Sequence, residues 1–132
     1  MDGVEMLTKE ELLKRADVVS LNITSGTEAK NFISKNEFDL MKPEAIFINV
    51  DQGLMVDTEA LYNALKNKKI GGAGLDQVSG LSKDHPILKL DNVVFTPHAG
   101  SSTNESFRVN LPELVVSDIE GFAQGNPKNL VS

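Results

Sequence analysis

Residues 45–76 read AIFINVDQGLMVDTEALYNALKNKKIGGAGLD, in which two short apolar runs flank a segment with helical periodicity. The first run, AIFINV at 45–50, is apolar at most positions, which is typical of a strand buried on both faces. Asp57 or Thr58 can cap the helix that follows, and the run GGAGLD at 71–76 can form the next strand. A strand, a helix and a second strand predict two parallel strands joined by a crossover helix.

The same alternation continues on both sides of this stretch. Upstream, Thr8 and Glu11 have the spacing of a capping box at the start of a short helix, and the apolar segment Ala16–Ile23 predicts a strand. A second amphipathic segment ends at Met41, and Val93–Thr96 predicts a further strand. We therefore expect an α/β fold with about four parallel strands and flanking helices.

The last predicted helix has an irregular pattern. Apolar residues three or four positions apart run from Phe107 to Phe122, but Pro112 interrupts them. Because proline inside a helix removes a backbone hydrogen bond and clashes with the preceding turn, we expect either a kink near residues 109–111 or a new helix start there. Gly125 is a natural end for this helix. With neither a repeat nor a linker in the sequence, residues 1–132 are expected to form one domain.

The composition is that of an ordinary globular protein. Of 132 residues, 40% are hydrophobic and 24% are charged, and the formal net charge is −6. An acidic chain without a basic patch argues against nucleic acid and anionic membrane surfaces as partners. No apolar run approaches the roughly 20 residues that span a bilayer, and the first residues, MDGVEML, lack the pattern of a secretion signal. We expect a cytoplasmic protein. The absence of cysteine excludes disulfides and thiolate metal sites, and no other metal site is predicted.

Four segments follow one another at regular spacing: ELLKRADVVSLN at 11–22, FDLMKPEAIFINVDQG at 38–53, DTEALYNALKNKKIGGAGLD at 57–76 and NVVFTPHAG at 92–100. Together they resemble the carboxy-terminal part of the nucleotide-binding domain of the NAD-dependent D-2-hydroxyacid dehydrogenases, a family that includes phosphoglycerate dehydrogenase. The resemblance runs from about Gly3 to the end of the chain. It implies a partial Rossmann-like domain that lacks the first half of the dinucleotide fold.

The resemblance also implies a reaction, which is hydride transfer between NAD and the 2-position of a hydroxy or keto acid. In that family an arginine grips the substrate carboxylate, a histidine exchanges the alcohol proton, and a glutamate hydrogen-bonds the histidine. His98 in TPHAG matches the histidine and is the predicted catalytic residue. The arginine position holds Gln52, whose amide lacks the charge and the bidentate fork of a guanidinium. Asp51 beside it is unfavourable for an anionic substrate.

The loop after the third predicted strand lacks the family glutamate. Counting five residues from Asp76 reaches Leu81, and no glutamate is present in QVSGLSKDHP. Asp84 in this loop has a shorter side chain at a shifted position, which makes it a poor substitute. His85 is predicted to be a solvated side chain rather than a catalytic one.

The predicted cofactor is NAD, and only part of its binding site is expected. The family's phosphate-binding turn, GxGxxG, is absent from the sequence, and the glycines of GGAGLD are interpreted as a tightly packed cluster. Asp76 matches the family aspartate that faces the nicotinamide amide. Asn22, Val50 and Gly100 follow strands and are predicted to line the same cleft with backbone groups. Binding of NAD by this chain alone is therefore expected to be weak.

These features predict a truncated or degenerate NAD-binding domain that is inactive alone. In the complete fold, Ala16–Ile23 would be an internal strand, so here it is expected to expose an unpaired edge. We expect this edge to pair with a second copy and form a homodimer. The alternatives are a non-catalytic interaction module, or half of a site that another chain completes.

Overall fold

A four-stranded parallel sheet forms the framework of the chain. The strands are β1 (Val18–Leu21), β2 (Ile46–Asn49), β3 (Gly72–Leu75) and β4 (Val93–Phe95). They lie in sequence order, and each neighbouring pair is parallel. Each observed strand lies inside a segment predicted from the sequence, so the Rossmann-like α/β prediction is confirmed.

This computed structural model describes residues 3–23, 30–100 and 111–126. Contacts divide the chain into two units, Met1–Pro97 and His98–Ser132, which are described separately. None of the helices in the described ranges is long and apolar enough to cross a membrane.

In the first unit, three helices alternate with the strands, namely α1 (Lys9–Arg15), α2 (Lys35–Leu40) and α3 (Thr58–Lys66). Their buried side chains join one hydrophobic core with alternate residues of the strands. Phe38 of α2 packs edge-on against Phe47 of β2, with ring centroids 5.4 Å apart. Both rings are almost completely buried.

The core lies on one face of the sheet only. Val19, Phe47 and Ala73 form a row across the three adjacent strands and are buried, whereas Val18 and Val94 on the opposite face are 56% and 66% exposed. Among the described residues, the prediction that the strands are buried on both faces is therefore wrong for β1, β2 and β4, whereas β3 has buried residues on both faces, Gly72 and Ala73. The physical reason is that right-handed crossovers between strands in sequence order place the connecting helices on the same side.

Side-chain caps fix the starts of the helices. Thr8 and Glu11 form the predicted capping box, in which the Glu11 N–H donates to Thr8 Oγ1 over 3.3 Å and the Thr8 N–H donates to Glu11 Oε2 over 3.1 Å. Of the two predicted caps for α3, Asp57 makes the bond, since its Oδ1 accepts from the Ala60 N–H at 3.0 Å. Thr58 is the first residue of the helix.

The glycine cluster before and within β3 is packed tightly at two of its positions. A Cβ atom on Gly71 would lie 2.8 Å from the carbonyl oxygen of Glu44, and one on Gly72 would lie 3.0 Å from that of Asn92. A Cβ atom on Gly74 would meet nothing within 4 Å. The interpretation as a packing cluster is thus confirmed for the first two glycines and wrong for Gly74.

In the second unit, α4 is described over Leu111–Ala123, with Pro112 near its described start, and the choice between a kink and a new helix start stays a prediction. Residues 109 and 110, where a kink was the other expectation, lie outside the described residues. Gly125 has a φ of +71°, and its N–H donates to the carbonyl oxygen of Phe122 at 3.1 Å. The predicted helix end is therefore confirmed.

Substitution of Gly71 by alanine should destabilise the fold by about 1–3 kcal/mol, because the new methyl group would collide with backbone that cannot move aside cheaply. Gly74→Ala is the matched control, since it adds the same group where there is space and should change stability by less than about 1 kcal/mol. Urea unfolding of the two variants measures both effects. Equal losses of stability would contradict the packing difference.

The stability of the fold should also depend on Glu37. Burial opposes ionisation of this carboxyl, but hydrogen bonds from Lys9 and Ser34 together outweigh it and lower its pKa from 4.5 to about 2. The Lys9 Nζ atom lies 2.8 Å from Glu37 Oε1, and the Ser34 hydroxyl donates to Oε2 over 2.7 Å. A carboxyl whose pKa is lower in the folded state stabilises the fold above its unfolded pKa.

The Glu37 contribution should be complete above about pH 5 and should be lost as the pH falls from about 4.5 toward 2. Glu37→Gln should therefore be less stable than the wild type at neutral pH by about 1 kcal/mol, and the difference should shrink in acid. Urea unfolding at several pH values tests this, with Glu44→Gln, at an exposed glutamate, as the control. A difference that does not vary with pH would contradict the assignment.

Candidate functional site

Three predicted site residues lie at the carboxyl edge of the sheet. Asn22 directly follows β1, Val50 follows β2 and Asp76 follows β3. Because the strands are parallel, their carboxyl ends meet at one edge, which is where ligands bind in open α/β sheets. Val50 is 53% exposed and Asp76 is 6% exposed. The carboxyl edge of the sheet therefore has an exposed residue, Val50, beside the covered carboxylate of Asp76.

Backbone hydrogen bonds hold Asp76 in place. Its N–H donates to the carbonyl oxygen of Asn49 over 2.9 Å, and the N–H of Thr96 donates to that of Leu75 over 2.9 Å. These bonds continue the two strand ladders one residue beyond β3 and β4. The hydroxyl of Thr96 then donates to Oδ1 of Asp76. Thr96, a partner of this carboxylate, was not predicted from the sequence.

Asn49 and Asp51 form a turn at the end of β2 that was not foreseen. The Asn49 side chain is almost completely buried, and its Oδ1 accepts from the Asp51 N–H at 2.9 Å. Its Nδ2 is buried without a hydrogen-bond partner among the described residues. An Asn side chain that bonds the backbone two residues on is the known Asx-turn pattern, so the sequence NVD did carry a signal for this turn.

The Asp51 carboxylate ties the ends of β1 and β2 together. Its Oδ2 accepts from the Ile23 N–H at 3.2 Å and its Oδ1 from the Gln52 N–H at 2.7 Å. Asp51 was predicted only to place a charge beside the substrate. The two hydrogen bonds that its carboxylate accepts from backbone N–H groups also stabilise the loops at this edge of the sheet.

Gln52, which the sequence resemblance predicts at the position of an arginine, directly precedes a short 3-10 helix, Gly53–Met55. A Cβ atom on Gly53 would lie 2.5 Å from the backbone nitrogen of Ser79, so this turn lies directly against the loop that follows β3. Gln52 itself is exposed. The turn therefore bears a neutral amide side chain at an exposed position.

His98 and Gly100 belong to the second unit. Both residues are exposed, and His98 has a φ of +54°. A left-handed backbone is uncommon for a residue other than glycine, and such conformations cluster at functional sites. His98 lies three residues after the last residue of β4 along the chain.

The loop after β3 contains a histidine whose environment differs from the prediction. His85 was expected to be solvated, but its side chain is only 13% exposed and its Nε2 lies 2.8 Å from Glu59 Oε1. Its Nδ1 accepts from the Ile87 N–H at 3.2 Å, which places the proton of the neutral ring on Nε2. Tyr62 packs edge-on against the ring, with centroids 5.8 Å apart. His85 thus fastens the loop to α3, an arrangement that only tertiary packing creates.

The structure also describes two other residues of this loop that the sequence analysis considered, Leu81 and Asp84. Leu81 is half-buried and packs against the hydrophobic core, and Asp84 is exposed. No group of three or more potential metal ligands occurs among residues 3–23, 30–100 and 111–126.

Comparison with known proteins identifies the family. Residues 1–100 match the family model described as the D-isomer specific 2-hydroxyacid dehydrogenase, NAD binding domain. A glyoxylate reductase of Thermococcus litoralis is 43% identical over 136 residues, which cover 98% of this chain and 40% of the relative. A D-3-phosphoglycerate dehydrogenase of Archaeoglobus fulgidus is 38% identical, with 95% of this chain and 24% of the relative covered.

Solved structures agree with the sequence relatives. An acyclic imino acid reductase (Bsp5) in complex with NADPH and D-Arg superimposes with a TM-score of 0.89 at 35% identity, over 100% of this chain and 42% of that protein. A D-lactate dehydrogenase with NAD+ from Lactobacillus jensenii superimposes with a TM-score of 0.81 at 31% identity, over 96% of this chain and 42% of that protein.

The chain spans about two-fifths of the length of the glyoxylate reductase and of the two structural neighbours. The family model matches most of the residues of this chain. The order and direction of the strands in this chain agree with that match. The chain belongs to the D-isomer-specific 2-hydroxyacid dehydrogenase family and contains sequence of its NAD-binding domain.

Proposed function

We propose that the chain is a partial NAD-binding domain, formed by residues 1–132, whose sheet edge binds the nicotinamide end of the cofactor. The observation that carries this proposal is the covered carboxylate of Asp76 at the carboxyl edge of the sheet, in a chain of a dehydrogenase family. Asn22 and Val50, which follow the neighbouring strands at this edge, contribute backbone groups to the same cleft, and Gly100 of the second unit stays a predicted cofactor-binding residue.

The residues present fit one end of NAD better than the other. A carboxylate accepts hydrogen bonds and does not donate them, so Asp76 suits the amide N–H groups of nicotinamide. The pyrophosphate requires a glycine-rich turn at a helix start, and the sequence contains no GxGxxG. The chain's own contacts are therefore with the nicotinamide half, and its affinity for NAD is low.

Bound NAD would supply a hydride acceptor, or a donor in its reduced form. The chain would contribute His98 as the group that exchanges a proton with the substrate, and Gln52 as a neutral hydrogen-bonding group for the substrate carboxylate. A hydrogen bond to a charged group is worth about 1.5–3 kcal/mol, but an amide provides neither the second charge nor the fork of arginine. Because the family glutamate is also absent, we propose that the chain does not act as a dehydrogenase by itself.

We further propose that β1 pairs with β1 of a second copy. In the described sheet β1 has only β2 as a neighbour, and the sequence VVSL contains neither proline nor lysine to block pairing. A two-fold axis beside β1 would join two sheets through antiparallel strands. A non-catalytic interaction module, or half of a site completed by another chain, would use the same edge. The cytoplasmic location stays a prediction.

Titration of the 132-residue chain with NAD, followed by NMR, should give weak, saturable binding with a Kd near millimolar, about −4 kcal/mol. Asp76→Asn should weaken it at least about fivefold, because it removes the charged acceptor. Asp84→Asn, at an exposed carboxylate in the following loop, is the matched control and should bind like the wild type. The same preparation should reduce no glyoxylate with NADH.

Absence of NAD binding, or equal binding by Asp76→Asn and the wild type, would refute the assignment of the site. Turnover by the unaided wild-type chain would refute the proposed inactivity alone.

Sedimentation velocity should show a dimer at micromolar concentration. Val18→Lys should shift it to monomer, because a lysine on an edge strand opposes pairing with another strand. Val94→Lys is the matched control: Val94 is exposed on the same face but lies on β4 at the other edge, so dimerisation should persist. A monomeric wild type, or equal effects of the two lysines, would contradict pairing through β1.

A further inference from the structure

We infer that Thr96 is a positioning residue for Asp76, which it holds so that the carboxylate selects a hydrogen-bond donor on the ligand. The inference rests on the proposed function, and it names the group that gives the nicotinamide site its chemical preference. Thr96 was not among the site residues predicted from the sequence.

The backbone places both residues independently of their side chains. The Thr96 N–H is bonded to the carbonyl oxygen of Leu75 and the Asp76 N–H to that of Asn49, each over 2.9 Å. Thr96 and Asp76 therefore lie side by side at the ends of adjacent strands, on ladders that leave the backbone little freedom. The hydroxyl of Thr96 reaches Oδ1 of Asp76 from this fixed position.

A carboxylate needs such a partner because its own terminal torsion is soft. Rotation about χ2 of aspartate has broad, two-fold minima, so burial alone does not fix the plane of its oxygens. A threonine hydroxyl has one proton and two acceptor lone pairs. When that proton is donated to Asp76, the side chains of Thr96 and Asp76 present only hydrogen-bond acceptors to a ligand.

The two side chains of the pair differ in their exposure to solvent. Asp76 is 6% exposed, whereas Thr96 is open to solvent. A ligand that approaches this edge therefore meets the acceptor oxygen of Thr96 beside a covered negative charge. A carboxamide brings N–H donors to that position, whereas a carboxylate would bring a second negative charge beside the covered carboxylate of Asp76, which is unfavourable because like charges repel.

The competing explanation is that Thr96 only ties two strand ends together. A tie of that kind would affect all ligands of the edge equally, since it would act through the stability of the fold. A positioning role predicts instead a change in the preference between two ligands that differ only at the carboxamide.

The test compares NAD with nicotinic acid adenine dinucleotide, in which a carboxylate replaces the carboxamide. NMR titrations of the 132-residue chain should show that the wild type prefers NAD by about tenfold or more. Thr96→Val keeps the shape of the side chain without the hydroxyl, and it should weaken NAD binding about fivefold while narrowing the preference. Thr96→Ser restores a hydroxyl and should retain affinity and preference within about twofold of the wild type.

Urea unfolding and the dispersion of the NMR spectrum establish that each variant is folded, and Thr96→Ala replaces Thr96→Val if the valine variant is not. Equal weakening of both dinucleotides, no weakening, or failure of serine to restore the preference would refute the positioning role while leaving the proposed function intact. A wild-type chain that binds neither dinucleotide would refute the proposed function and the role of Thr96 with it.

Discussion

The parallel hydrogen-bond ladder is the constraint on which the rest of the structure depends. Four strands that run in sequence order and in one direction require three crossovers of the same hand. The connecting helices α2 and α3 are thereby confined to one face, and the carboxyl ends of the strands to one edge. The hydrophobic core forms where these helices cover the sheet, and the candidate site lies where the carboxyl ends of the strands meet.

The ladder also extends beyond the strands and into the site. The N–H groups of Asp76 and Thr96 each bond to the neighbouring strand at 2.9 Å, so the backbone of the two site residues is held by the same bonds that hold the sheet. Asp51 makes a corresponding link on the other side, since its carboxylate accepts from Ile23 at 3.2 Å. The edge is therefore rigid where Asp76 lies, and a rigid acceptor is what recognition of a small amide group requires.

The sequence alone predicted the features that depend on local or periodic patterns. The strands were found because short apolar runs differ in period from the helices around them, and the Thr8–Glu11 box was found because its two residues bond each other over three positions. The pairing of His85 with Glu59 joins residues far apart in the chain, and no local pattern encodes it. The same is true of the link between Thr96 and Asp76.

One-sided burial was missed for a different reason. Runs such as AIFINV are apolar at positions that face both sides of a sheet, and the prediction assumed that both sides would be covered. In the described residues Ile46 is 38% exposed and Val94 66% exposed, on the face away from the helices. Composition shows which residues are suited to burial, whereas the connections between strands determine which of them are covered.

Charged and neutral side chains along the carboxyl edge bear differently on cofactor binding and on the reaction of a substrate. Taking a carboxylate out of water costs free energy, and the chain nevertheless keeps Asp76 at 6% exposure with Thr96 bonded to it. At the position that would grip an anionic substrate it has the neutral Gln52, and no glutamate follows Asp76 in the next loop. A neutral amide in place of a guanidinium weakens the grip on an anionic substrate, whereas it leaves unchanged the acceptor that we propose for a carboxamide. The proposed recognition of a cofactor end and the turnover of a hydroxy acid therefore depend on different groups of this edge, and the covered Asp76 with its Thr96 partner bears only on the first.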